Sequence, residues 1–309
     1  MKKNKIILVT GGCGFIGTHL CRTLLKKNYI VHILDKKITN KIKHKNVKYT
    51  KANIKDSSVF DKFQIKYYAV FHLAAECSAR ASEENFKDYI ETNFIGTYNL
   101  CKWAKIYKPK KLIFSSSMTV YKSSRFSLKE NSYIKPNSLY GKTKVEGEKM
   151  ILNLKKYGIQ IIIARLFNVY GPGQNYRNLK QGMVSIYCYY AIFQGKIKVT
   201  GSLQRFRDLI YISDVTNALL NFINCNKSEI INVGTGKKTT VRELLIYICK
   251  LTKLDYNNSI NILSSHAGDV FGTYANINKL KKKYIPKTNL GNGLKKIIWD
   301  LQKYKKRNS

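Results

Sequence analysis

Short apolar runs alternate with helical patterns along the first half of the chain. Runs rich in β-branched residues occur at 6–9, 31–34, 47–49, 70–73 and 111–114, and helical spacing of apolar residues occurs over 15–28 and 83–106. Strands that alternate with helices in this way predict βαβ units, which form a parallel sheet. The alternation continues with a predicted helix near 138–157 and a predicted strand over 159–166.

The pattern becomes less regular after Gly171-Pro172-Gly173. It predicts a helix near 179–194, short strands, a helix over 213–224 and a second βα unit from 230 to 251. The chain therefore predicts a doubly wound parallel α/β domain with a smaller, mixed α/β lobe toward the C-terminus. We expect residues 1–170 and 208–233 to form the sheet domain, and residues 171–207 and 234–309 to form the lobe.

Three glycines mark the turn after the first predicted strand. Gly11, Gly14 and Gly17 stand three residues apart and open a predicted helix. In this context they form a dinucleotide-binding fingerprint, because the glycines permit a tight turn, close approach of a pyrophosphate and close packing of helix on strand. The sheet domain is thus predicted to be a Rossmann fold that binds phosphates at a helix N-terminus.

An acidic residue ends the second predicted strand. Asp35 lies 18 residues after Gly17, where a carboxylate can accept both hydroxyls of the adenosine ribose and repel a 2′-phosphate. This position predicts NAD as the cofactor. Lys36 and Lys37 follow directly and can bind a 2′-phosphate instead, so NADP is the alternative.

The composition is strongly basic. The 309 residues carry a net charge of +38, from 56 Lys and Arg against 18 Asp and Glu. Such a charge alone indicates an anionic partner such as nucleic acid or a membrane surface. Only 9 of the basic residues are Arg, and the lysines are spread without interleaved aromatics. We therefore expect a compositional origin for the charge and no specific nucleic-acid site.

The remaining composition points to a cytoplasmic protein. The sequence has no apolar run of about 18 residues and no cleavable leader pattern, so no membrane association is expected. The 7 cysteines are scattered and never in CxxC spacing. Neither a disulfide framework nor a metal site is predicted from them.

Further motifs follow the glycine fingerprint in a consistent order along the chain. They are Asn53-Ile54, His72-Leu73-Ala74-Ala75, Thr92-Asn93-Phe94-Ile95-Gly96-Thr97, Asn168-Val169-Tyr170-Gly171-Pro172, Arg207-Asp208, Asn232-Val233-Gly234-Thr235-Gly236 and Gly268-Asp269-Val270. Together with the Gly11-x-x-Gly14-x-x-Gly17 spacing, they resemble the extended short-chain dehydrogenase/reductase family, the NAD-dependent nucleotide-sugar epimerases and dehydratases. The resemblance is strongest to UDP-hexose 4-epimerases.

This resemblance implies a set of cofactor-binding residues. They are Gly11, Gly14, Phe15, Ile16, Gly17, Asp35, Asn53, Ile54, Leu73, Ala74, Ala75, Asn93, Ser115, Tyr140 and Lys144. It also implies a homodimer, since the predicted helices 83–106 and 138–157 resemble the pair that forms a four-helix dimer interface in the family.

A Tyr-x-x-x-Lys pair supplies the candidate proton-transfer chemistry. Tyr140 and Lys144 lie one turn apart at the start of a predicted helix, so they share a face. A nearby ammonium and a positive nicotinamide would favour the phenolate, which makes Tyr140 the proton acceptor. Ser115-Ser116-Ser117 ends a parallel strand and resembles a family segment in which Ser117 orients the substrate. Lys144 is also expected to hold the nicotinamide ribose.

The family resemblance implies 4-epimerisation through a transient 4-keto sugar, with NAD regenerated in each cycle. The dehydratase branch has a Thr-Asp-Glu run where this chain reads Ser117-Met118-Thr119, so 4,6-dehydration is disfavoured. Other nucleotide-sugar chemistry remains the alternative, as a uronate epimerase, dehydratase or reductase. A second alternative is a non-catalytic NAD-binding sensor or RNA-associated protein.

On the substrate side, the resemblance implies that a nucleotide diphosphate sugar contacts five residues: Ser117, Asn168, Arg207, His266 and Asp269. His266 stands where the family commonly has Arg.

Three further positions bear on the substrate. The segment 205–208 can equally be a structural salt-bridge cluster. Thr273 resembles the position that limits hexose size, and its small side chain favours N-acetylhexosamines. Arg80 resembles an Arg of uronate epimerases, which keeps uronic acids open.

Overall fold

The computed structural model describes residues 5–39, 41–77, 86–176, 178–179, 182–264 and 271–308. Three residues singled out by the sequence, Arg80, His266 and Asp269, lie outside the described residues. No helix within the described ranges is long and apolar enough to span a bilayer.

Strands and helices alternate through the first part of the chain, as the apolar pattern predicts. The strands are β1 (Ile6–Thr10), β2 (Ile30–Asp35), β3 (Val47–Lys51), β4 (Ala69–His72), β5 (Lys111–Ser117), β6 (Gln160–Leu166), β7 (Asn168–Tyr170), β8 (Ile197–Thr200), β9 (Phe206–Arg207), β10 (Leu209–Tyr211), β11 (Glu229–Val233), β12 (Thr239–Thr240), β13 (Ile260–Leu263) and β14 (Gly272–Thr273). The helices are α1 (Phe15–Leu25), α2 (Phe86–Tyr89), α3 (Gly96–Tyr107), α4 (Leu139–Leu152), α5 (Met183–Gln194), α6 (Ile212–Phe222), α7 (Val241–Thr252), α8 (Tyr256–Ser259), α9 (Asn278–Lys281) and α10 (Leu290–Asn308).

Seven parallel strands form the main sheet, in the order β11-β6-β5-β4-β1-β2-β3. The strand order reverses at β1, which has β2 on one side and β4 on the other. Ligands of doubly wound sheets bind at the carboxyl ends of the strands at such a reversal. The predicted doubly wound Rossmann sheet is therefore confirmed, and the reversal places the expected site next to the glycine turn.

The two faces of the sheet bury separate apolar layers. Ile7 and Val9 of β1 pack in one cluster with residues of α1 and α6, whereas Leu8 packs in another with residues of α3 and α4. Because consecutive strand side chains point to opposite faces, a strand covered on both sides needs an unbroken apolar run. Each fully buried aliphatic side chain contributes about 1.5–3 kcal/mol.

A third apolar cluster lies among α5, α7 and α10, together with Tyr170, Leu209 and Tyr211. Three small sheets accompany it: β7 with β10, β8 with β13, and β9 between β12 and β14. The predicted division into residues 1–170 with 208–233 and residues 171–207 with 234–309 stays a prediction.

Several predicted helix bounds differ from the structure for identifiable reasons. The helix predicted to begin near 179 begins at Met183, because Gly182 has a φ of 86°, in the left-handed region that ends regular helix. From residue 86 onward, the segment predicted as one helix over 83–106 consists of α2, a wider π-helical turn over Ile90–Ile95, and α3. Periodicity alone does not reveal such a turn, since π-helical turns insert locally into α-helical patterns.

Candidate active site

A cavity of about 550 Å³ lies at the carboxyl ends of the central strands. All the predicted cofactor residues except Asn93 line it, and so do Ser117 and Asn168. A cleft of this size, walled mainly by apolar groups with a few converging polar groups, is the usual form of a cofactor site.

The glycine turn forms one wall of the cavity. Gly11 has a φ of 71°, and a Cβ added there would lie 2.7 Å from the backbone of Ala74. A Cβ on Gly17 would lie 2.1 Å from the carbonyl oxygen of Gly11. Gly14 is the N-cap of α1 and makes no side-chain cap hydrogen bond. The backbone amides at this helix end are therefore open to a phosphate, and the cradle fits a dinucleotide.

Asp35 is held against this turn. Its Oδ2 accepts a hydrogen bond from the amide of Cys13 at 2.9 Å, and its Oδ1 accepts one from the amide of Lys37 at 3.1 Å. The ammonium of Lys36 forms an ion pair with Glu76. A 2′-phosphate would meet the Asp35 carboxylate and a lysine already paired with a carboxylate, so the wall fits NAD better than NADP.

Two buried polar residues brace the wall from behind. His72 is fully buried, and its ring nitrogens hydrogen bond with the hydroxyls of Thr10 at 2.7 Å and Thr97 at 3.0 Å. Burial lowers the pKa of His72 to about 3, so the ring is neutral. Asn93 accepts from the amide of Glu76 at 2.8 Å and donates to the carbonyl of Glu76 at 3.0 Å. Asn93 therefore braces the wall from behind, and its predicted role in cofactor binding stays a prediction.

Tyr140 and Lys144 meet the end of β5 as the sequence predicts. Ser138 caps α4 by accepting from the amide of Gly141 at 3.1 Å. The ammonium of Lys144 donates to the carbonyl of Ser115 at 2.8 Å and lies 5.6 Å from the ring centroid of Tyr140. The hydroxyl of Ser117 hydrogen bonds with the phenol of Tyr140. The side chains of Ser117, Tyr140 and Lys144 and the carbonyl of Ser115 face one end of the cavity.

The titration of this pair differs from the expectation. Burial lowers the pKa of Lys144 to about 8, against the opposing charges of Cys77 and Glu148. Burial and Cys77 raise the pKa of Tyr140 above its ordinary value, while the hydrogen bond with Ser117 lowers it. The described side chains therefore keep the phenol protonated, and they do not by themselves favour the phenolate that the sequence predicts.

Sequence reasoning missed a buried ionic pair behind these residues. Arg165 of β6 and Glu148 of α4 are joined by two hydrogen bonds, Nε to Oε1 at 2.8 Å and Nη2 to Oε2 at 2.6 Å. A signal was present, because Arg165 interrupts an apolar strand and Glu148 lies one turn after Lys144. A buried guanidinium requires a carboxylate partner.

The substrate side is assembled from separate small strands. Asn168 of β7 lines the cavity, and its Nδ2 donates to the carbonyl of Asp208 at 3.3 Å. Arg207 of β9 lies outside the cavity wall and donates to the carbonyls of Phe206 at 2.8 Å and Phe271 at 3.3 Å. Of these two predicted substrate contacts, Asn168 lines the cavity and Arg207 does not.

Asp208 has a structural role in this cluster. It is fully buried and accepts hydrogen bonds from both the amide and the hydroxyl of Thr235, from the amide of Gly236 and from the amide of Ala275. Burial raises the pKa of Asp208, and these donors oppose that rise. The carboxylate thus ties three chain segments together through neutral donors.

Thr273 lies beside the residue that follows Ser117. It is buried, and its hydroxyl donates to the thioether of Met118 at 2.9 Å. Asn168 also donates to this sulfur, at 3.5 Å. Among the described residues, no group of three or more His, Cys, Asp and Glu side chains is placed to hold a metal ion.

Comparisons with known proteins agree with this geometry. Residues 7–234 match the NAD dependent epimerase/dehydratase family. The UDP-glucuronate 4-epimerase of Thermodesulfobacterium geofontis is 30% identical over 318 residues, which cover 94% of this chain and 94% of that protein.

Two solved structures have the same fold over nearly their whole length. The UDP-glucose 4-epimerase of Thermotoga maritima with UDP-glucose has a TM-score of 0.90 at 29% identity, covering 97% of this chain and 99% of that chain. The UDP-N-acetylglucosamine 4-epimerase of Methanobrevibacter ruminantium, in complex with UDP-N-acetylmuramic acid, has a TM-score of 0.91 at 27% identity, covering 98% and 99%. This chain belongs to the NAD dependent epimerase/dehydratase family.

Proposed function

We propose that this protein inverts C4 of a UDP-hexose or UDP-N-acetylhexosamine and uses NAD as a resident cofactor. The observation that carries the proposal is the meeting of Ser117, Tyr140 and Lys144 at one end of the cavity that the glycine turn lines. The names of the similar proteins, which are 4-epimerases of UDP-sugars, support this choice of reaction.

The walls of the cavity suit NAD in two places. The glycine turn and the open end of α1 hold the pyrophosphate, and Asp35 accepts the ribose hydroxyls. NAD held there would supply the hydride chemistry at C4 of the sugar, as acceptor and then as donor.

The three side chains divide the proton chemistry at the sugar. Ser117 orients the 4-hydroxyl group, and Tyr140 takes its proton as a transient 4-keto sugar forms. Tyr140 later returns the proton to O4 when the keto group is reduced on its opposite face. The ammonium of Lys144, fixed beside the cavity by its hydrogen bond to the carbonyl of Ser115, would favour loss of the phenolic proton together with a positive nicotinamide. The same ammonium is placed to hold the nicotinamide ribose.

The residues after Ser117 favour epimerisation over dehydration. Positions 118 and 119 are Met and Thr, so they carry no carboxyl group to abstract a C5 proton. The hydroxyl of Thr119 donates to Ser117 at 3.0 Å. This stretch therefore orients the catalytic serine and supplies no further acid or base.

Nucleotide binding falls to the substrate side of the cavity. We assign Asn168 and Arg207 to the uridine diphosphate, because an amide and a guanidinium are suitable donors to phosphate and carbonyl oxygens. His266 and Asp269, outside the described residues, complete the proposed set. Thr273, at the position that resembles the hexose-size limit, is buried against Met118. Its small side chain favours acceptance of the larger N-acetylhexosamines.

We also propose a homodimer. Phe94, Tyr98 and Ile106 expose 39%, 50% and 72% of their surface along the helical segment that ends with α3. A second copy would bury this apolar face. Sedimentation equilibrium of the wild type should give twice the chain mass, and Tyr98→Asp should give a monomer; a wild-type monomer at micromolar concentration contradicts the dimer.

The decisive test of the function is turnover without added cofactor. The purified protein is incubated with UDP-glucose, UDP-galactose and their N-acetyl counterparts, and the anomeric proton is followed by NMR. We expect the 4-epimer to appear, and Tyr140→Phe to lower the rate by about 10²–10⁴-fold, because the proton acceptor is lost.

Tyr133→Phe is the matched control, since Tyr133 is 71% exposed and lies in the loop before α4. This variant should keep the wild-type rate. A wild-type protein that carries NAD but forms no epimer from these four sugars would contradict the proposed function.

A further inference from the structure

A buried polar cluster lies directly behind the catalytic end of β5. Glu148 and Arg165 are 5% and 3% exposed, and their two hydrogen bonds form a bidentate ion pair. The hydroxyl of Ser116 also donates to Oε1 of Glu148. The carboxylate is thus shared between the guanidinium of β6 and the middle serine of β5.

The cluster extends across the sheet. Arg165 donates through Nη1 to the phenol of Tyr121 at 2.9 Å and to the carbonyl of Glu130 at 2.9 Å. Tyr121 in turn donates to Oδ1 of Asn232 of β11 at 2.7 Å. A helix, three strands and the loop between β5 and α4 are joined by one buried set of hydrogen bonds.

This cluster is coupled to the proton-transfer residues by helix geometry. Tyr140, Lys144 and Glu148 are spaced four residues apart, so they lie along one face of α4. Ser116, which Glu148 holds, stands between Ser115 and Ser117 on β5. The carbonyl of Ser115 accepts from Lys144, and the hydroxyl of Ser117 hydrogen bonds with Tyr140.

We propose that Glu148 is a positioning residue of the reaction, whose carboxylate sets α4 against β5 and holds the Lys144 ammonium in its charged form beside Tyr140. The inference rests on the proposed function, because the charge of Lys144 matters for catalysis only if Tyr140 transfers a proton. It assigns to Glu148 both a mechanical and an electrostatic task.

Two groups near Lys144, Cys77 and Glu148, favour its charged form, and of the two Glu148 is the one buried on the same helix. Lys144 faces Tyr140 and Glu148 from its own helix, His72 from β4, and Cys77 from the loop after β4. His72 is neutral because its pKa is about 3, and burial keeps Tyr140 neutral. Burial works against the Lys144 charge, and Cys77 and Glu148 work for it. Removal of the carboxylate charge should therefore let Lys144 lose its proton at lower pH.

A first measurement follows the titration of Lys144 without reference to activity. The free energy of unfolding in urea is measured from pH 6 to pH 11 for the wild type and for Lys144→Met. Lys144 has a folded pKa of about 8 against an ordinary value of 10.5, so the unfolded chain binds more protons between these values. The free energy of unfolding of the wild type minus that of Lys144→Met should therefore rise with pH across this window. In a Glu148→Gln background, the rise should begin about one pH unit lower.

A second measurement is the pH profile of kcat/KM with the UDP-sugar that the wild type accepts. Glu148→Gln should move the alkaline limb down by about one pH unit, which lowers activity above that limb by up to about tenfold. Glu146→Gln is the matched control on the same helix, since Glu146 is exposed and pairs with Lys149 at 2.8 Å. The control should leave both the limb and the unfolding profile unchanged.

The double variant Glu148→Met/Arg165→Met separates the two tasks. Replacing both members of a buried ion pair by apolar side chains of similar size often preserves stability, so this protein also serves if Glu148→Gln does not fold. We expect the double variant to be folded and to show a smaller downward shift than Glu148→Gln, because it also removes the positive charge of Arg165. The wild-type limb and the wild-type Lys144 titration in every folded variant that lacks the Glu148 carboxylate would overturn the proposal. If the wild type lacks epimerase activity, the proposed function fails, and the unfolding profile alone decides whether Glu148 controls the Lys144 charge.

Discussion

On the cofactor side of the cavity, loops that follow neighbouring strands hydrogen bond to one another, whereas the substrate side combines short strands that lie far apart in the chain. Asp35 at the end of β2 accepts a hydrogen bond from the amide of Cys13 after β1, and Thr10 of β1 hydrogen bonds with His72 of β4. On the other side, Arg207 of β9 lies between β12 and β14, and Asn168 lies on β7. The cofactor wall is built at the carboxyl ends of the strands of one sheet, and the substrate wall is built on several small sheets.

This difference teaches where rigidity comes from in the two halves of the cavity. Parallel strands that share one sheet fix the distances between the loops at their carboxyl ends, so the cofactor wall needs few additional contacts. The substrate wall lacks that common frame and depends on Asp208, which joins the turn at 235–236 to Ala275. We therefore expect steric changes to damage the cofactor wall most, and changes of charge to affect the substrate wall.

The largest effect should come from Gly11→Ala on the cofactor side. The added methyl group would meet the backbone of Ala74 at 2.7 Å, in addition to the strain of a residue at a φ of 71°. We expect the free energy of unfolding to fall by about 3 kcal/mol or more, and bound NAD to be lost from the purified protein. Urea unfolding and the absorbance of released NAD measure the two effects.

Gly158→Ala is the control that isolates the strain. Gly158 has a φ of 78°, but nothing lies within 4 Å of its Cβ position. It should cost only about 1 kcal/mol and leave NAD binding intact. Equal losses of stability for the two variants would refute the claim that close approach, rather than backbone strain, defines the glycine turn.

A smaller effect is expected from Arg207→Met on the substrate side. Loss of the guanidinium should raise the KM for the UDP-sugar by about tenfold, which corresponds to about 1.4 kcal/mol, with little change in kcat. Bound NAD should be unaffected, because Arg207 lies outside the wall that the cofactor residues form. Steady-state kinetics and NAD content are the measurements.

Arg207→Lys serves as the charge-preserving comparison and should show a smaller rise in KM. An unchanged KM in Arg207→Met would remove this residue from the substrate site. Loss of NAD from Arg207→Met would instead show that the cofactor wall depends on the substrate wall.

The parts of the molecule that the sequence predicts well are those encoded within one βα unit. Two local patterns are the spacing of the glycines with Asp35 and the spacing of Tyr140 with Lys144. Each residue of these patterns lines the cavity. The fold class, the family and the NAD cofactor are confirmed. Local spacing succeeds here because a strand, a tight turn and a helix leave few possible directions for the residues between them.

The parts that the sequence did not predict depend on partners across the sheet. The lone Arg165 in an apolar strand requires a buried carboxylate, but the chain offers 18 acidic residues and no local rule selects Glu148. The motif around Asn93 does not reveal that Glu76 and Thr143 engage its side chain, and its assignment to the cofactor site stays a prediction. The assignments of Arg207, His266 and Asp269 to substrate stay predictions.

The buried cluster behind β5 also has a consequence for the order of folding. The hydrogen bond from Tyr121 to Asn232 joins residues 111 positions apart, and β11 adds to the sheet beside β6. Contacts of such long sequence separation form late, because the entropy cost of closing a large loop comes before the stabilisation that the contacts provide. A growing chain that has not yet released β11 from the ribosome can form the glycine turn but cannot complete the support of Arg165. The catalytic end of the cavity therefore matures after the cofactor end.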